Sequence, residues 1–385
     1  VKNDNSRIHL SIPHMGVQEQ QLINEAFELN WIAPVGPHLQ KFEQAVIKYT
    51  GAGGAVALTS GTAGIHLALR ASGIKEGDIV FCSSFTFVAS VNPILYMAAV
   101  PVLIDSEPEG WNMSPEALRT AFRKYEKKGM LPKAVLVVNL YGQSADLKKL
   151  KAICDHYEVP IIEDAAESLG ATHEGMSSGT IGKYGVFSFN GNKIITTSNG
   201  GMVVSDDASS LEKIRYWSTQ AKDPADYYQH SEVGYNYRLS NVLAAIGCAQ
   251  MSVLDQRIEA RRNVFRRYYE ALHEIKGISF TKEIHGCSTR WLTTLKMNLS
   301  CFRDTPETIV KRFEQYNIET RRLWKPMHAQ PLYTGCDYVK HADNQSICDE
   351  LFETGICLPS SSNLSVEDQN KIIKHLKNFL AESKV

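Results

Sequence analysis

"KAVLVVNLYGQSADLKKLKAICDHYEVPIIED" (133–164) reads as a strand, a helix and a second strand. Residues 133–141 and 159–164 are short apolar runs, the texture of strands buried on both faces. Residues 146–158 form an amphipathic helical pattern between them. A strand, a crossover helix and a strand make a parallel pair. The same alternation extends upstream. Residues 54–58, 78–84 and 100–105 read as strands. Residues 63–73 read as a helix ended by Gly73, and 88–99 as a helix in which Pro93 should sit early. A further strand-like run, 184–189, lies downstream. The expected fold is α/β, a mostly parallel sheet with helices on both faces. Ligands of such sheets gather beyond the carboxyl ends of the strands.

The texture changes after about residue 240. Residues 240–275 carry one long helical pattern, capped by Ser or Asn and followed by Gly277. Residues 290–297 read as a strand and 305–317 as a helix. We therefore expect a large domain over 1–255, with the N-terminal segment, and a smaller α+β domain over 256–385. A length of 385 residues suits two domains. A net charge of −1 argues against nucleic acid as the main partner, because that would need a basic face. The eight cysteines are scattered and none forms C-x-x-C, so they read as reduced thiols and no metal site is expected. Residues 1–13 lack the apolar core of a signal peptide, and no apolar run approaches the ~20 residues of a membrane span. The expectation is a cytoplasmic protein.

Chemistry concentrates at the strand ends. The strand 159–164 closes on Glu163 and Asp164, with Glu167 just beyond. Asp164 could point into the ligand crevice, or it could cap the helix that follows. Lys193 lies in "FSFNGNKIITTSNGG" (187–201), among Asn, Gly, Thr and Ser. A lysine near a carboxylate is most often a salt bridge, but a desolvated one can attack a carbonyl. Pyridoxal phosphate needs such a lysine, and a carboxylate to keep its ring nitrogen protonated. "TSGTAGIHLAL" (59–69) offers Ser60, Gly61 and Thr62 at a helix start, an anion site or ordinary capping. Ser188 is a second candidate donor for a phosphate, and Phe85 or Phe87 could stack on a ring or simply pack in the core. "GTIGKYG" (179–185) fails as a P-loop, because Tyr184 stands where Ser or Thr is needed.

Taken in order, "TSGTAGIHLAL", "SFTFVAS", "IIEDAAESLGA", "FSFNGNKIITTSNGG" and "GYNYRLSNVLAAIG" resemble the sugar aminotransferases of the DegT/DnrJ/EryC1/StrS family over nearly the whole chain. The resemblance implies the pyridoxal phosphate-dependent aspartate aminotransferase fold, fold type I. It implies that Lys193 is the Schiff-base lysine and Asp164 the partner of the ring nitrogen. Gly61, Thr62 and Ser188 match the phosphate cradle, Phe87 the ring-stacking aromatic, and Glu167 a polar residue near the phenolic oxygen. Asn236 matches an asparagine that reaches the neighbouring subunit's phosphate, which implies a homodimer with shared active sites. Family members often read T-T-G-E-G-G after the lysine. Here the residues are Thr196, Thr197, Ser198, Asn199, Gly200 and Gly201. The glycine pair remains, while Asn199 puts any role of the usual carboxylate in doubt.

"LSIPHMG" (10–16), "STRWLTTLKM" (288–297) and "LWKPMHAQPLY" (323–333) look like the subgroup that aminates C4 of UDP-4-keto-6-deoxy-N-acetylglucosamine, with L-glutamate as donor. GDP-perosamine synthases share much of the pattern and are the alternative. The substrate contacts implied are His14, Trp31, Arg238, Lys325 and His328. Residues 321–328 offer Arg321, Arg322, Lys325 and His328 to a diphosphate and Trp324 for stacking, or else form a basic surface turn.

Overall fold

The computed structural model describes residues 7–284 and 286–385; residues 1–6 of the expected first domain lie outside the described residues. An eight-stranded sheet organises the chain. Its order is Gly54–Leu58, Gly201–Ser205, Tyr184–Ser188, Ile161–Asp164, Ala134–Val138, Ile79–Ser83, Val100–Ile104 and Tyr338–Val339. Gly201–Ser205 runs antiparallel to both neighbours. The pairings from Tyr184–Ser188 onward are parallel. These strands are apolar and almost wholly buried because helices cover both faces. Gly61–Ala71 packs in the core of one face, and Pro115–Glu126 with Leu147–His156 in that of the other.

A four-stranded antiparallel sheet follows, in the order Ile278–Phe280, Thr293–Met297, Gly355–Leu358 and Arg321–Arg322. Leu254–Leu272, Pro306–Glu314 and Val366–Glu382 share its core. The two sheets are stitched together. Tyr338–Val339 extends the large sheet beside Leu103 and Ile104. At the other end of the chain, Ile8 bridges Ile318, and Leu10 O accepts the N–H of Ser360.

Two helices differ from expectation. The pattern over 240–275 is two helices, Asn241–Met251 and Leu254–Leu272. Ser252 and Val253 separate them, and the Ser252 hydroxyl lies 2.7 Å from Ala249 O and 3.0 Å from Gln18 Oε1, acceptors that share its one proton. The first helix packs against the helices Gln18–Glu28 and Pro37–Thr50; the second carries the charged, half-exposed face of the smaller sheet's cover. Pro93 sits late in the helix Val88–Tyr96, where its ring is buried in the core. No helix among the described residues is long and apolar enough to cross a membrane.

Candidate active site

Register brings the strand ends to one edge. Leu58 pairs with Gly201, Gly201 with Ser188, and Asp164 with both Val138 and Val186. Beyond that edge lies a cavity of about 360 Å³. Gly61, Thr62, Phe87, Asp164, Glu167, Ser188 and Lys193 all line it.

Asp164 lies at the buried end of its strand. Ser90 Oγ donates to Asp164 Oδ2 at 2.6 Å, and the Ala166 N–H donates to Oδ1 at 3.1 Å. Thr86 Oγ1 lies 2.7 Å from Ser90 Oγ and extends the chain. Burial lifts the Asp164 carboxyl above its usual range, against the lowering by these bonds and by Lys193. An acid so placed favours a cation over it. The bond to Ala166 closes a turn: residues 165–170 form no helix, so Asp164 is not the helix cap that the sequence left open. Glu163 turns away. Its oxygens accept the N–H groups of Gly179, Ile181 and Gly182 and the side chain of Asn139.

Lys193 is nearly buried, 14% exposed, with Nζ 3.5 Å from Glu167 Oε1 and 4.5 Å from the centre of the Trp291 ring. Glu167 Oε2 accepts the Tyr141 N–H at 2.9 Å. Tyr141 adopts φ +54, unusual for a bulky residue, and this conformation aims its N–H at the acid. Burial raises the Glu167 carboxyl, and Lys193 opposes that shift. The lysine loop is clamped from outside, because Asn192 O accepts both Ser11 Oγ and Trp291 Nε1 at 2.8 Å. Arg261, wholly buried, donates to Trp291 O and to Ser11 Oγ and ties the two clamps together.

Ser60 caps the helix Gly61–Ala71 by accepting the Ala63 N–H. The N–H groups of Gly61 and Thr62 are in its first turn, where no intrahelical acceptor exists. A Cβ on Gly201 would meet Ser60 C at 2.2 Å and Gly61 N at 2.4 Å, so this glycine seats the loop. Phe87 lines the cavity and is half exposed, whereas Phe85 is buried edge-on to Tyr141.

Other expected residues lie apart from this cavity. Asn236 is exposed on the chain's surface. Arg238 does not line the cavity. Its buried guanidinium donates to Glu43 Oε1 at 2.6 Å and Ala57 O at 2.8 Å, because a buried charge needs an acid partner. His328 is likewise committed, bonded to Ser84 Oγ and Asp349 and stacked on Tyr338 at 3.6 Å. His14 is held by Ser362 and Arg257. Trp31 and Lys325 are exposed and do not line the cavity. Of residues 321–328, Arg321 and Trp324 do line it. Ser90, Tyr141 and Trp291 escaped the sequence reading. Ser90 stood in the quoted "SFTFVAS", and a polar residue one helical turn past Phe87 was the available signal.

The sequence profile of the DegT/DnrJ/EryC1/StrS aminotransferase family matches residues 13–377. The chain is 54% identical to EpsN of Bacillus subtilis (strain 168), which carries the name of a pyridoxal phosphate-dependent aminotransferase, over 96% of this chain and 95% of that protein. It is 34% identical to a GDP-perosamine synthase of Caulobacter vibrioides, over 98% and 100% of the two chains. Among solved structures, a DegT DnrJ EryC1 StrS aminotransferase from Brucella abortus superimposes with a TM-score of 0.87 at 26% identity, over 94% and 95% of the chains.

Proposed function

The chain belongs to the DegT/DnrJ/EryC1/StrS aminotransferase family, and from that premise we infer a pyridoxal phosphate-dependent sugar aminotransferase. In this reading it moves an amino group from L-glutamate to the C4 keto carbon of UDP-2-acetamido-2,6-dideoxy-hexos-4-ulose. The observation that carries the reading is the pairing of Lys193 with Glu167 in the cavity that Asp164 also lines. A buried acid, a nearly buried amine and an open helix N-terminus in one 360 Å³ space fit that cofactor.

When bound, the cofactor supplies an electron sink at the reacting carbon. Lys193 would hold its aldehyde carbon and then carry a proton to and from the donor's α carbon. Glu167 keeps the ammonium in place. Asp164, steadied by Ser90, would accept a hydrogen bond from the ring nitrogen and so keep that nitrogen protonated. Gly61 and Thr62 N–H groups and the Ser188 hydroxyl would hold the phosphate, and Phe87 would pack against the ring. Asn236 would reach the phosphate site of a second copy, a role its exposure leaves open, so the working unit in this reading is a homodimer. His14, Trp31, Arg238, Lys325 and His328 stay in this reading as substrate contacts, made across that dimer where they lie outside this chain's cavity. We keep the domain division near residue 255, and a cytoplasmic setting, which the eight unpaired cysteines suit.

A GDP-perosamine synthase is the second reading, favoured by the 34% identical relative. The cofactor's visible absorbance separates the two. L-Glutamate should bleach it. Recovery with the UDP 4-keto sugar and not with GDP-4-keto-6-deoxymannose supports the first reading; the reverse establishes the second. No cofactor colour at all would remove both.

A further inference from the structure

The cavity's charges leave one group without a task. Its lining holds two acids, Asp164 and Glu167, and two cations, Lys193 and Arg321. Lys193 is taken by the chemistry above. Arg321 stands on the small sheet, in the strand paired with Ile356 and Cys357. A smaller chamber adjoins the main cavity and shares Asn192, Trp291, Arg321 and Trp324 with it, so Arg321 borders both spaces.

The amino donor of the proposed reaction is an amino acid and must bring a carboxylate near Lys193. The two acids of the lining would repel that carboxylate. Arg322 is engaged elsewhere, with its guanidinium 3.7 Å from the Phe352 ring centre and bonded to Phe352 O. Arg321 is different. Its side chain is 60% exposed, and its ion pair is to Glu319, Nη2 to Oε1 at 2.7 Å. An ion pair this open is weak and readily exchanged. Glu319 would not be stranded by the exchange, because its other oxygen accepts the Leu10 N–H at 3.1 Å. A guanidinium presents two parallel N–H groups that match a carboxylate.

We propose that Arg321 is the carboxylate anchor of the amino donor, exchanging Glu319 for the incoming anion. This deepens the aminotransferase reading and rests on it.

The test uses the cofactor-loaded protein and glutarate, a dicarboxylate with no amine, titrated by calorimetry. Arg321→Gln should weaken glutarate binding ~10- to 100-fold, the range for a lost hydrogen bond to a charged group. Arg321→Lys should fall between, and Glu319→Gln should bind glutarate more tightly. In single turnover, Arg321→Gln should slow cofactor bleaching by L-glutamate by a similar factor. Bleaching by an amine without a carboxylate should be unchanged. Glutarate binding that ignores the substitution overturns the proposal. So does an equal loss with glutamate and with the plain amine, or a loss confined to the keto-sugar step. A wild-type protein that binds glutarate through Arg321 yet is never bleached by L-glutamate would support the anion site and overturn the aminotransferase reading.

Discussion

Glu163 and Asp164 are neighbours in the chain and face opposite sides of the sheet. Alternation along a strand separates them. Glu163 meets four donors around residues 179–182 and Asn139, while Asp164 lines the cavity. The first acid holds the fold and the second serves the site. We expect Glu163→Ala to cost about 3 kcal/mol or more, since it strands buried donors. Asp164→Asn should keep the fold and lose turnover. Urea denaturation of both variants checks this, and a Glu163→Ala loss under about 1 kcal/mol would falsify the division of labour.

The Asp164 carboxyl is raised by burial, against Ser90, Ala166 and Lys193. A raised carboxyl binds its proton more tightly folded than unfolded. Its contribution is therefore complete at low pH and is lost as pH climbs from the ordinary carboxylate value through the folded one. Asparagine cannot ionise. Without cofactor, Asp164→Asn should gain stability relative to the parent as pH rises above about 4. Saturating cofactor should reverse the order, because its ring cation then offsets the buried charge. Thermal melts of both proteins with and without cofactor decide it; a difference that does not vary with pH removes the argument.

The alternation of strands and helices could be read from residues because each run is short, apolar and punctuated. Asp164 was legible for the same reason, as an acid at the end of a buried strand. Lys193 was legible through the motifs around it. What stayed hidden depends on partners far away in the chain. Trp291 reaches Asn192 across 99 residues, and Arg238 finds Glu43 across 195. A basic residue inside a recognised motif looked like a substrate contact because its acid could not be seen. The bond from His328 to Ser84, 244 residues away, was equally out of sight. The break at Ser252 and Val253 falls where the first helix leaves its packing against residues 18–28 and 37–50, which no periodicity reports.

Ser198 stands at φ +73, a left-handed conformation, where chains resembling this one often have glycine. A side chain there costs roughly 1–2 kcal/mol of strain, and glycine returns about 0.4–1 kcal/mol of it as unfolded-state entropy. Ser198→Gly should therefore stabilise the protein by about 0.5–1 kcal/mol and leave turnover intact, because the bond that orders this residue comes from its backbone N–H to Thr196 Oγ1. Equilibrium unfolding would show it, and a net loss of stability would mean that the serine hydroxyl has an undetected task.

Gly191, in the loop before Lys193, and Gly201, at the start of the strand after it, differ in what surrounds them. At Gly201 a Cβ would lie 2.2 Å from Ser60 C and 2.4 Å from Gly61 N, both backbone atoms that cannot swing aside. At Gly191 the nearest atom is Ser198 O at 4.0 Å. Gly201→Ala should push the Ser60–Gly61 turn away from the cavity and spoil the site where the phosphate is received. We expect cofactor to be lost on dialysis from Gly201→Ala and retained by Gly191→Ala, with both proteins folded. Absorbance after dialysis, with circular dichroism alongside, makes the comparison. Equal retention by the two variants would mean that the helix start at Gly61 is not what holds the phosphate.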